Sequence, residues 1–176
     1  MNQEKELYAT SFNPLLVKPT RPFPEEIAVI GAGTIGPDIA YYLKSALPAI
    51  KLYLVDVVEE PLKNAEKRLS AYAKKAVDKK KMKEDKAKAV LENIIYTMDY
   101  DQIKNCDLVI EAATESIPLK QKIFDSVEKT VSEDTIITSN TSSIPADRIF
   151  SKMKRPERTT ITHFFALHGG VFPLRL

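Results

Sequence analysis

The feature that most constrains this chain is a hexamer, Gly31-Ala32-Gly33-Thr34-Ile35-Gly36, which follows the aliphatic run Ile27-Ala28-Val29-Ile30 and opens a helix-forming stretch. Three glycines at this spacing have separate tasks: the first allows a tight turn, the second lets a pyrophosphate approach the backbone, and the third permits close packing of helix on strand. The start of the helix adds unpaired N–H groups and the positive end of a dipole. Twenty residues beyond Gly36, at the end of a second aliphatic run, Leu52-Tyr53-Leu54-Val55, stands Asp56. A carboxylate there accepts hydrogen bonds from both hydroxyls of an adenosine ribose. Val57 and Val58 follow it and offer no cation for a 2′-phosphate, so the pattern favours NAD over NADP. A P-loop is excluded, since no Gly-Lys-Ser/Thr follows the glycines.

The rest of the chain repeats the alternation that begins there. Leu108-Val109-Ile110, Thr135-Ile136-Ile137-Thr138 and Thr159-Thr160-Ile161-Thr162 read as strands, and Ile94-Ile95-Tyr96-Thr97 as a weaker one. Runs that are apolar throughout imply burial on both faces, as in a parallel sheet. Helices are expected from about Thr34 to Ala46, from Pro61 through a long stretch, from Lys83 to Asn93, from Pro118 to Thr130 and from Pro145 to Phe150. In the long one, Leu62, Ala65, Leu69, Tyr72, Ala73 and Ala76 recur at three and four to give one buried stripe. The expected fold is a doubly wound, mostly parallel α/β sheet of Rossmann-like type over residues 25–176, with a helical excursion at about 61–93. Residues 1–24, with Pro14, Pro19, Pro22 and Pro24, read as an arm or linker.

Composition narrows the partners. With 26 Lys+Arg against 24 Asp+Glu and a net charge of +2, the chain lacks the electrostatic excess of a nucleic-acid binder. Its 44% hydrophobic content is too high for disorder, and its length of 176 residues suits about one domain. No apolar run is long enough to span a membrane, and the polar N-terminus has no targeting core, so a cytoplasmic protein is expected. One cysteine, Cys106, and no Cys/His cluster of zinc-ligand spacing leave neither an internal disulfide nor a structural metal to expect. Cys106 and the Tyr41-Tyr42 pair read as packing residues, and the lysine-rich run from Lys74 to Lys88 as a solvated face of mixed sign or, alternatively, as an anionic-ligand contact.

A dinucleotide site does not name a reaction. The second half of the chain is more specific: Asp107-Leu108-Val109-Ile110-Glu111-Ala112-Ala113-Thr114-Glu115, then Lys120, Ser139-Asn140-Thr141-Ser142-Ser143-Ile144, Arg155-Pro156-Glu157-Arg158 and His163-Phe164-Phe165. Together with the glycine hexamer and Leu54-Val55-Asp56, this string resembles the NAD-binding domain of the 3-hydroxyacyl-CoA dehydrogenases, over residues 26 to about 165. The resemblance implies that Gly31, Ala32, Gly33, Thr34, Ile35 and Gly36 hold the pyrophosphate, that Asp56 binds the ribose, and that Glu115 and Lys120 line the cofactor. It implies further that Ser142 touches the substrate, that Lys79 reaches the CoA moiety, and that His163 is the catalytic base. Imidazole suits that task because its unperturbed pKa lies near working pH. His168 lacks such support and reads as a loop histidine.

The same comparison exposes a departure. In the family, His-Phe-Phe is followed by Asn-Pro, and a glutamate about twelve residues after the histidine orients the imidazole. Here Ala166 and Leu167 stand at the first places and Arg175 at the last. An arginine cannot accept the imidazole N–H. The family also continues into a helical domain of about 100 residues, a common domain size, which by resemblance closes over the acyl-CoA and makes the dimer. A short or truncated dehydrogenase, altered after Phe165 and able to self-associate through an uncovered face, is therefore expected. Two readings stand: NAD-dependent oxidation of (S)-3-hydroxyacyl-CoA to 3-oxoacyl-CoA, and an NAD-binding module without turnover of its own.

Overall fold

The computed structural model describes residues 21–167 and 170–175. Most of the Pro-rich arm, together with His168, lies outside the described residues, and residues 21–25 carry no helix or strand. Six short strands form one sheet: β1 (Glu26–Ile30), β2 (Lys51–Val55), β3 (Ile94–Thr97), β4 (Leu108–Glu111), β5 (Ile136–Ser139) and β6 (Thr159–Ile161). Every pairing among them is parallel, in the order β3-β2-β1-β4-β5-β6. The chain runs outward from β1 to β3 and then returns to the far side of β1, so the sheet is doubly wound and its winding reverses between β1 and β4. Ligands of such sheets bind at that reversal, beyond the carboxyl ends of the strands.

Alternation along each strand sorts the core onto two faces. Ile27, Val29, Leu52 and Leu54 meet Ile39, Ala40, Leu62, Ala65 and Leu69 on one face. These partners come from α1 (Gly36–Ala46) and α2 (Glu59–Asp78), and the buried residues of α2 are Leu62, Ala65, Leu69 and Ala73 from the stripe read in the sequence. On the other face Ala28, Ile30, Tyr53, Val55 and Val109 meet Phe124, Val127 and Ile149, drawn from α4 (Ile117–Thr130) and α5 (Ala146–Ile149). Cys106 is 1% exposed within this second cluster, and burial pushes its thiol up to about 12, as befits a packing residue. Tyr41 and Tyr42 pack edge-on against Tyr72 and Phe164.

Boundaries shift where local chemistry decides them. The first helix begins at Gly36 rather than Thr34, because residues 31–35 are consumed by the turn. The second begins at Glu59, ahead of Pro61: acids suit the positive end of the helix, and a proline in the first turn forfeits only an unpaired donor. The helical excursion is two helices, broken at Lys80, whose φ of 55° ends α2 before α3 (Glu84–Leu91) begins. The lysines of this region are exposed, and Lys74 pairs with Asp78 at 3.4 Å. Among the described residues no helix is long and apolar enough to cross a membrane.

One element was not expected. Past β6 the chain forms an antiparallel hairpin, β7 (His163–Leu167) and β8 (Gly170–Arg175), separate from the main sheet. The pair Gly169-Gly170 between two apolar runs is a hairpin signal in the sequence.

Candidate cofactor and active site

Because all six strands of the sheet run the same way, whatever follows their carboxyl ends shares one edge. Gly31–Gly36 follow β1, Asp56 follows β2, Glu115 follows β4, Ser142 follows β5 and His163 follows β6.

The three glycines of the turn differ in what surrounds them. Gly31 has φ +107°, and a Cβ there would lie 2.8 Å from the carbonyl oxygen of Ala112 on β4's exit. At Gly36 a Cβ would fall 1.7 Å from the carbonyl oxygen of Gly31. At Gly33 it would meet nothing within 4 Å. The first and third are thus required by the protein's own packing, while the second leaves open space over the backbone. Ile35, at the N-cap of α1, makes no side-chain capping bond, so the helix start is left for a ligand's oxygens. Open backbone at Gly33 and an uncapped helix start are what a pyrophosphate needs, so these residues fit NAD.

Asp56 closes the turn from β2. Its Oδ2 accepts the Ala32 N–H at 2.8 Å and its Oδ1 accepts the Val58 N–H at 3.1 Å. An ionised carboxylate has about four acceptor sites, so two remain for ribose hydroxyls. Thr34 is exposed and Ile35 half-buried, at the lip of the same turn.

Between β4 and β5 lies a polar network that local sequence patterns do not show. The Lys120 ammonium donates to Glu111 Oε1 at 2.7 Å and Oε2 at 2.9 Å, and both side chains are 0% exposed. Glu111 also accepts the Ser139 hydroxyl and the Ala113 N–H, and its carbonyl accepts the Asn140 N–H. From this base Lys120 reaches Glu115 Oε2 at 3.3 Å. Glu115 is 39% exposed and accepts the Thr141 hydroxyl across 26 residues. Burial pushes the Glu115 carboxyl up, but the Thr141 hydroxyl, the Lys120 charge and the Ser142 N–H together outweigh it and hold the group below its ordinary value. Lys120 therefore lies beneath the edge and fixes Glu115, which faces outward. Glu111, Asn140 and Thr141 stand in the quoted motifs without a role assigned to them, although a glutamate closing an apolar strand is a visible anomaly.

The residues on either side of His163 are tied to β5 and to the start of the Ser142 loop. Before it, the Thr162 N–H donates to the Ser139 carbonyl at 3.0 Å, and the Thr162 and Thr138 hydroxyls lie 2.8 Å apart. After it, the Phe164 N–H donates to Asn140 Oδ1 at 2.7 Å. Ser142 itself is exposed. In the hairpin register His163 faces Arg175, so the position twelve residues on is the histidine's strand partner. Lys79 is the C-cap of α2 and exposed, and among the described residues no bond links it to the strand-end cluster. A cavity of about 290 Å³ opens between α2 and β3, lined by Glu59, Leu62, Lys63, Glu66, Tyr96 and Met98, but none of the expected site residues lines it.

Comparison with known proteins agrees with this geometry. Residues 26–167 match the family model described as 3-hydroxyacyl-CoA dehydrogenase, NAD binding domain. The fatty acid oxidation complex subunit alpha of Colwellia psychrerythraea is 35% identical over 138 residues, which is 78% of this chain and 19% of that protein. The crystal structure of 3-hydroxybutyryl-CoA dehydrogenase from Escherichia coli superposes with a TM-score of 0.78 at 32% identity, over 82% of this chain and 30% of that one. For (S)-3-hydroxybutyryl-CoA dehydrogenase from Ralstonia eutropha the TM-score is 0.77 at 31% identity, over 81% and 50%. The chain thus spans at most half the length of these relatives. With the matched model covering the whole sheet, the glycine turn and the His163 segment, the chain belongs to the 3-hydroxyacyl-CoA dehydrogenase family and carries its NAD-binding domain.

Proposed function

We propose that this chain takes part in the NAD-dependent oxidation of a (S)-3-hydroxyacyl-CoA to the 3-oxoacyl-CoA, in a reducing cytoplasm. The observation that carries the reading is the bond from the Phe164 N–H, next to His163, to Asn140 at the start of the Ser142 loop, on the same sheet edge as the glycine turn and Asp56. Gly31–Gly36 bind the pyrophosphate and Asp56 the ribose. Glu115, held by Lys120 and Thr141, lines the cofactor. Ser142 holds the 3-hydroxyl of the substrate, Lys79 meets the CoA moiety, and His163 takes the hydroxyl proton on its imidazole nitrogen as C3 gives up its hydrogen. NAD, when bound, supplies the acceptor for that hydride. In the reverse direction His163 returns the proton to the substrate oxygen.

One observation favours a second reading, an NAD-binding module without turnover. Arg175 stands opposite His163 in the hairpin register, at the place where the family carries a glutamate. Oxidation of NADH by acetoacetyl-CoA, followed at the nicotinamide absorbance band, separates the two. Turnover by the unmodified chain that disappears in His163→Gln supports the dehydrogenase. Binding of NADH without oxidation, with turnover gained in Arg175→Glu, supports the silent module. No binding of NADH contradicts both.

A further inference from the structure

We infer that Arg68, on α2, is a positioning residue for the cofactor turn: it neutralises Asp38 in the first turn of α1 and so keeps that helix start receptive to a pyrophosphate. The inference rests on the reading that NAD occupies the glycine turn.

An acid in the first turn stabilises a helix by its attraction to the dipole. At this helix the same place has to receive a doubly negative group, and Asp38 would oppose it. The structure pairs that charge from outside. Arg68 Nη2 lies 2.6 Å from Asp38 Oδ1, Nη1 donates to the Thr34 carbonyl at 2.9 Å, and Nε donates to the Tyr72 hydroxyl at 2.7 Å. The Tyr72 hydroxyl in turn donates to the same Asp38 oxygen at 3.0 Å, and its ring packs edge-on against Tyr41 of α1. The planar fork of a guanidinium can serve three such acceptors at fixed angles, which an ammonium cannot. The Asp38 side chain is 12% exposed and that of Arg68 32%, so the pair is only partly screened by water. Arg68 thereby makes α2 a wall of the cofactor site, though it lies 34 residues beyond Thr34.

NADH titrated calorimetrically into the unmodified chain, Arg68→Ala, Asp38→Asn and the double variant tests this. Loss of Arg68 alone should weaken binding roughly tenfold, as expected for one charged hydrogen-bonding group. Asp38→Asn should bind at least as tightly as the unmodified chain, and adding it to Arg68→Ala should recover most of the loss. The penalty of Arg68→Ala should shrink at about 0.5 M salt, where the Debye length falls to a few ångströms. A simple packing defect would respond neither to the second substitution nor to salt. Arg68→Lys, which keeps the charge but not the fork, should bind more tightly than Arg68→Ala and less tightly than the unmodified chain. Unchanged affinity in Arg68→Ala, or a double variant as weak as Arg68→Ala, would overturn the inference while leaving NAD binding intact. Failure of the unmodified chain to bind NADH would overturn the cofactor reading and the inference with it.

Discussion

The ammonium of Lys120 sits 2.7 Å from Glu111 Oε1 with neither side chain exposed to water. Such a pair adds little net stability over an apolar one, because both charges lost their hydration, but removal of one partner strands the other. Lys120→Met should therefore destabilise the fold by about 3–5 kcal/mol, and Lys120→Met with Glu111→Leu should recover much of that. Urea denaturation of the unmodified chain and the two variants measures it. Equal losses in the single and double variants would count against an electrostatic origin.

The glycine turn separates stability from binding at neighbouring positions. Gly33→Ala places its methyl in open space and should leave the melting temperature close to that of the unmodified chain while weakening NADH binding. Gly36→Ala drives a methyl into the Gly31 carbonyl and should cost several kcal/mol, on the order of other overpacking or strained substitutions. Parallel melting and NADH titration check both. A Gly33→Ala variant that melts early but binds normally would invert the assignment.

Glu115 gives a pH dependence with a definite sign. Its carboxyl is held below the ordinary value of 4.5, chiefly by Thr141 and Lys120 acting against burial. The folded state therefore binds its proton less readily than the unfolded state does, and the carboxylate's contribution to stability is complete above that ordinary value. It is lost as pH falls through the lower folded value. The stability advantage of the unmodified chain over Glu115→Gln should thus be constant from neutrality to about pH 5 and shrink below it. Denaturation curves from pH 3 to 7 test this, and an advantage that grows on acidification would contradict it.

How much of this was legible in the sequence follows from the range of each interaction. The turn at Gly31–Gly36, the strand Leu52–Val55 and the carboxylate at Asp56 announce themselves because each rests on a local pattern, and the parallel sheet follows from the alternation of apolar runs with helical stretches. Asn140 could not be found that way: its tie to Phe164 joins residues 24 apart whose meeting depends on β5 and β6 pairing. The Glu115–Thr141 and Arg68–Thr34 bonds likewise join segments that only the finished sheet brings together. The resemblance implies that Lys120 lines the cofactor, but the sequence does not tell a side chain that faces outward from one that is fully buried, as Lys120 is. No strand is expected beyond Thr162, so the hairpin β7–β8 comes from the structure alone.

The most direct test of the central claim compares NADH and NADPH binding to the purified chain and to Asp56→Ala, by calorimetry. The Asp56 carboxylate, with Val57 and Val58 beside it, should make the unmodified chain take NADH and largely refuse NADPH, whose 2′-phosphate would face that negative charge. Asp56→Ala should lose at least tenfold in NADH affinity, as expected for charged hydrogen bonds to two hydroxyls, and should narrow the difference between the two cofactors. Equal affinities for NADH and NADPH in the unmodified chain, or an Asp56→Ala variant that binds NADH undiminished, would contradict the placement of the cofactor at this edge of the sheet.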